Sequence, residues 1–299
     1  MEPICSLPGA DRLAKATGAI IVANGEAISV MRIAGVPESQ LMAVAGGERI
    51  PIFTAAQRCE AIECAEKAAV TAGPPGPPGH GQRRGPPGPP MPDPETAPIT
   101  VHAWPSLHCV MPPGAHPEFI NSGTVYTGAA SHACTLDVTR GLTYGLGSLV
   151  RAPQIPPGLP DDMRRFAEYM RDRETNRYSF FDGGQLMFNF LLGDDVLLWS
   201  GHLGAYEGIM RSLEPKPNVA ILAIAGRANL NGRPFDGSAA DFAVKQVEWL
   251  GHPERVIWCL HDRGAINPKY IDTTVATDRV NKETRSMVVD LEHAKIYSI

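Results

Sequence analysis

Apolar residues in this chain fall into short clusters whose spacing alternates between helical and strand periods. Residues 8–18, PGADRLAKATG, read as a helix in which Leu13 and Ala14 share a face with Ala10 and Thr17, and Gly18 ends it. Residues 19–23, AIIVA, form a short buried strand. Residues 26–34 are a second helix closed by Gly35, and Val36-Pro37-Glu38-Ser39 turns the chain into a strand over 41–44 and the Gly46-Gly47 turn. Helix, strand, helix, turn and strand within about fifty residues is an α/β rhythm.

The rhythm breaks over 54–98. Residues 55–72 are rich in alanine and glutamate and predict a helix. GPPGPPGHGQRRGPPGPPMPDPETAP follows, with collagen-like triplets interrupted by Gln82-Arg83-Arg84. So few triplets make no triple helix, and the composition reads as an extended polyproline-rich surface loop, largely disordered from about 73. The segment is an Ala/Pro/Gly-rich insertion within a single domain spanning 1–299.

Strand patterning returns at Ile99 and runs to His108. Residues 124–149 mix short strands and turns, and 151–160 are a second proline-rich loop. Asp161-Asp162 cap a helix over MRRFAEYMRDR. Strands are predicted at 178–181, 185–192 and 196–200, a helix at 205–213, and a buried strand at 219–225. A helix capped by Ser238 follows over 238–250, then a strand at 255–260 and a short strand from Met287.

Composition narrows the class. The chain has 299 residues, 43% of them hydrophobic, which is ample for a substantial core. A net charge of −5 without long charge runs argues against nucleic-acid or anionic-membrane partners. The longest apolar run, 218–225, is too short to cross a bilayer, and MEPICSLPGADR has no apolar signal core. Six scattered cysteines without a CxxC pair read as reduced thiols of a cytoplasmic protein. A small-molecule substrate is the expected partner, and self-association is left open.

Three histidines stand where strand-like runs end: His108 after ITVHAWPSL, His202 after DDVLLWSG and His261 after RVIWCL. A strand end holds a side chain rigidly at a loop-lined cleft, so three such ends point to a metal site. Asp262 either orients His261 or is a solvated turn residue. Arg227 and Asn229, in AGRANLNG, stand where a substrate-facing loop would lie; the alternative is a turn built by Asn231-Gly232. His116 and His132 read as surface residues, and His80, His252 and His293 as exposed.

DGGQLMFNFLLGDDVLLWSGHLG, NVAILAIAGRANLNGRPFDGS, HPERVIWCLHDR and ITVHAWPSLH, in their order along the chain, resemble pieces of the metallo-β-lactamase-fold hydrolases. The similarity is greatest to the ascorbate-6-phosphate lactonase-like branch. It implies a four-layer αββα sandwich, incomplete at the N-terminus. It also implies a divalent metal cofactor, with zinc first and manganese or iron as alternatives, and hydrolysis of an ester, lactone or phosphoester-type bond.

In that resemblance His108 matches the family's middle histidine and His261 its final one. His202 stands where the family has an aspartate that bridges two metals. Imidazole ligates a single metal well but does not bridge as a carboxylate does. The family's His-x-His-x-Asp-His segment would precede the helix at Pro8, and residues 1–7 hold no histidine. The resemblance therefore implies either a chain that starts late or a degenerate relative acting, if at all, as a binding protein.

Overall fold

The computed structural model describes residues 9–72, 90–110, 121–128, 136–137, 142–143, 153–172, 174–175, 184–262, 270–292 and 294–298. The calls at 73–89 and 178–181, and those on His80, His116, His132 and His293, lie outside the described residues.

The chain begins with α1 (Ala10–Thr17), β1 (Ile21–Ala23), α2 (Gly25–Ile33) and β2 (Leu41–Ala43), the order its pattern predicts. Gly18, in the left-handed region, stops α1, and the Asn24 side chain caps α2 by accepting from Ala27 N–H. β1 and β2 pair in parallel. The expected face of α1 is corrected: Ala14 is buried with Ala27, Met31 and Val36, but Leu13 is 62% exposed. A helix of eight residues docks here through its Asp11–Ala14 side, which leaves Leu13 pointing away from that small cluster.

β3 (Arg49–Ile52) was not evident in the pattern, whereas α3 (Ala55–Ala72) matches the predicted helix. β4 (Ile99–Ser106) ends two residues before His108. β5 (Leu136–Asp137) and β6 (Leu142–Thr143) form a small antiparallel pair. α4 (Asp161–Arg171) follows Pro160, so Asp161 and Asp162 occupy its first turn instead of capping it. The Asp161 carboxylate still complements the positive end of the helix dipole.

The rest is dense: β7 (Gln185–Leu192), β8 (Asp195–Ser200), β9 (Gly204–Ala205), α5 (Glu207–Ser212), β10 (Val219–Ala223), β11 (Asn229–Leu230), β12 (Arg233–Pro234), α6 (Ala239–Trp249), β13 (Arg255–Cys259), α7 (Thr274–Glu283) and β14 (Met287–Val288). Ser238 caps α6 in a reciprocal box with Asp241. α7 was not foreseen. Only Ala276 and Val280 are buried on it, so its apolar stripe is thin.

The fold is mixed α/β, with one seven-stranded sheet in the order β14-β13-β10-β8-β7-β4-β3. β8, β10, β13 and β14 are mutually parallel, while β7 runs against both β8 and β4. β4 therefore points the same way as β8 and β13. One sheet face packs Met187, Leu198, Leu222, Val256 and Trp258 against Phe242 and Val247 of α6 and Val280 of α7. This is the principal core. Phe188, Phe190 and Trp199 occupy the other face, half-buried, with Phe188 stacked on Trp199 at 6.2 Å. No helix among the described residues is long and apolar enough to cross a membrane.

His252 departs from its expected exposure. It is half-buried in a left-handed turn after α6, where its N–H bonds Val247 O at 2.9 Å.

Candidate metal centre

Because β4, β8 and β13 share a direction, their ends deliver His108, His202 and His261 to one edge of the main sheet. This is the carboxyl edge, where open α/β sheets form their clefts. β4 and β8 are separated by β7, and β8 and β13 by β10. Each gap is two strand spacings, roughly 10 Å.

The first gap is closed by the chain beyond the strands. The rings of His108 and His202 lie with centroids 4.5 Å apart and planes tilted by 35°. Gly204 makes that approach possible: a Cβ there would lie 2.4 Å from Leu107 O and 2.9 Å from His108 O. Two further ties hold the segment. Asn229 Nδ2 donates to His108 O at 2.9 Å, and Val110 N–H donates to Arg227 O at 2.8 Å. β11 in turn pairs in parallel with β9, fixing Asn229 opposite Gly204.

Both rings are buried, His108 at 4% and His202 at 7% exposure. Burial holds the His108 imidazolium well below its ordinary pKa, with the neighbouring His202 adding to the effect. Burial likewise brings His202 down to about 4. Both are thus neutral imidazoles at pH 7, the form that ligates metals. His108 Nδ1 lies 2.9 Å from Cys109 O, a pairing that puts the proton on Nδ1. The lone pair is then on Nε2, which is buried without a hydrogen-bond partner. A histidine whose other nitrogen is bonded to a backbone carbonyl is oriented as metal-ligating histidines are.

His261 is half-buried at the end of β13, after Leu260 in the left-handed region, and its Nδ1 lies 3.2 Å from Asp262 Oδ1. Among the described residues, no group of three or more His, Cys, Asp or Glu side chains is arranged to hold a metal ion. The structure thus brings His108 and His202 together and leaves His261 on the same edge, outside that pair. The orphaned Nε2 and the two neutral rings fit a metal; a third ligand is not assembled with them.

Arg227, read as a substrate-facing residue, is 5% exposed. Its Nε donates to Phe235 O at 3.1 Å, and its Nη2 to Gly128 O at 2.8 Å and Asp236 Oδ1 at 2.9 Å. Asn229 is buried against the backbone of His108. The Asn231-Gly232 turn does form, with both residues at positive φ between β11 and β12. Among the described residues Cys59, Cys64, Cys109 and Cys259 are in no disulfide, and burial pushes the Cys259 thiol up to about 12, so it is no thiolate nucleophile.

His102, not singled out above, is buried on β4; the even spacing of His102, Ser106 and His108 along one run is the signal for a polar file on one strand face.

No family model matches the chain, and no curated protein matches it. Among solved structures, a novel metallo hydrolase, Igni18 from the hyperthermophilic archaeon Ignicoccus hospitalis KIN4/I, aligns over 95% of this chain and 70% of its own, with a TM-score of 0.46 and 11% identity. So distant a match transfers no residue and no activity.

Proposed function

We propose that the chain is a metal-dependent hydrolase of an ester, lactone or phosphoester-type bond. The observation that carries this reading is the buried, uncharged His108–His202 pair at the carboxyl edge of the sheet. His108 and His202 would hold the ion, with His261 as the third ligand and Asp262 orienting it. Such an ion activates water and polarises the scissile bond. Zinc suits two or three imidazoles, and manganese or iron are the alternatives.

The chain's own residues do the positioning. The Cys109 carbonyl fixes the His108 tautomer, and Asn229 and Gly204 hold the His108 backbone against the segment that carries His202. Arg227 keeps the loops at 128 and 235–236 in place beside it.

The test is hydrolysis of an aryl ester, a lactone and a phosphate ester by the full chain supplied with zinc or manganese. Metal-dependent turnover that His108→Ala and His202→Ala abolish supports the reading; no turnover with any metal contradicts it.

A second reading, a non-catalytic relative that retains the fold as a binding protein, is favoured by one observation. No three-ligand group is assembled among the described residues. It predicts that the chain takes up no metal.

A further inference from the structure

Residues His102 and Trp104 of β4 share the helix-covered face of the main sheet with Met187 and Asn189 of β7 and Leu198 and Ser200 of β8. His102 pairs directly with Asn189, and Trp104 with Met187. The register of Phe188 with Trp199 places Ser200 opposite Met187. Asn189 is thus the hub, with His102 beside it and Trp104 and Ser200 on its diagonals.

Four polar atoms on this patch are buried without a hydrogen-bond partner: His102 Nδ1, Trp104 Nε1, Asn189 Oδ1 and Ser200 Oγ. Asn189 is fully buried and Ser200 is 1% exposed. Asn189 Nδ2 donates to Pro215 O at 3.4 Å, while its Oδ1 has no hydrogen-bond partner. Leaving four such atoms dry would forfeit a large part of the stability of an ordinary domain. Buried polar groups are satisfied by protein or by ordered water, and no protein group among the described residues satisfies these.

The chemistry of the set selects the occupant. It combines a donor (Trp104 N–H), an acceptor (Asn189 Oδ1) and two groups able to do either (the Ser200 hydroxyl and the His102 ring), with no carboxylate. Direct cross-strand neighbours stand about 5 Å apart and diagonal ones about 7–8 Å between Cβ atoms. The four atoms make no hydrogen bond to one another, and a water placed among them spans such distances with a bond to each neighbour.

We propose that this patch is an internal water site, in which ordered waters bridge Asn189 to His102, Trp104 and Ser200. Ser200 is the last residue of β8 and His202 follows two residues on, so the patch adjoins the segment that carries the histidine pair. The site does not depend on a metal at that pair.

Two measurements on the full chain test it. A crystal structure that shows ordered solvent has at least one water within hydrogen-bonding distance of both Asn189 and Ser200. The Tm of Ser200→Ala supplies an independent sign: removing a hydroxyl bonded to water lowers Tm by about 2–4 °C, whereas removing a dry, unsatisfied hydroxyl raises it. A raised or unchanged Tm, or a patch filled by side chains with no solvent between them, overturns the proposal.

Discussion

The imidazole rings of His108 and His202 lie 4.5 Å apart although their strands, β4 and β8, are not neighbours in the sheet. The residues that close this gap are glycine and asparagine, and most of what can be tested about the site follows from them.

Gly204 carries the close approach. A methyl group there would meet Leu107 O at 2.4 Å and His108 O at 2.9 Å, both rigid backbone atoms. Gly204→Ala is expected to destabilise the chain by at least about 2 kcal/mol, since neither contact yields by a side-chain rotation. Urea unfolding of the variant beside the wild type measures this. A loss below a few tenths of a kcal/mol would show that the two segments are not held as described.

The buried histidines set a pH dependence. The His202 pKa is brought down to about 4 by burial, and that of His108 lies well below its ordinary value. In the unfolded chain both titrate near 6.5, so below that pH the unfolded state binds more protons than the folded one. Stability is therefore full above about pH 6.5 and falls as pH drops towards 4, with His202 alone accounting for a loss on the order of 3 kcal/mol. Unfolding free energies measured across that window should slope accordingly, and His202→Gln should flatten the slope. An identical slope in the variant contradicts the assignment.

Arg227 is held by two carbonyl oxygens and by Asp236, whose side chain is largely exposed. Solvent screens the ion pair, so the contribution of Arg227 comes mainly from Phe235 O and Gly128 O and from the packing of its stem. Arg227→Met should cost about 2–4 kcal/mol, and Arg227→Lys should rescue little, because an ammonium cannot reproduce the planar fork. Thermal unfolding of the two variants separates this framework role from a substrate-binding one, in which Tm would hardly move and KM would rise.

Much of the fold was legible in the chain. The bounds of α3 and β7 were readable to the residue, and the Ser238 cap of α6 was readable from a serine placed just before an apolar 3.6-residue period. α7 escaped because its buried stripe consists of Ala276 and Val280 alone, and β3 escaped because it is only four residues long and carries Pro51, which argues against a strand. At the site, the three strand-end histidines could be named from the sequence. That His108 and His202 meet depends on Gly204 and on the β9–β11 pairing, both non-local. That Arg227 turns inward depends on carbonyls at 128 and 235, which no local pattern encodes.

The most direct test of the metal reading is zinc uptake by the purified chain, measured by equilibrium dialysis with elemental analysis, beside His108→Ala and His202→Ala. Zinc should be bound by the wild type at neutral pH, lost in both variants, and released as pH falls and the imidazoles protonate. Zinc absent from the wild type, or retained undiminished by His108→Ala, would contradict the metal reading.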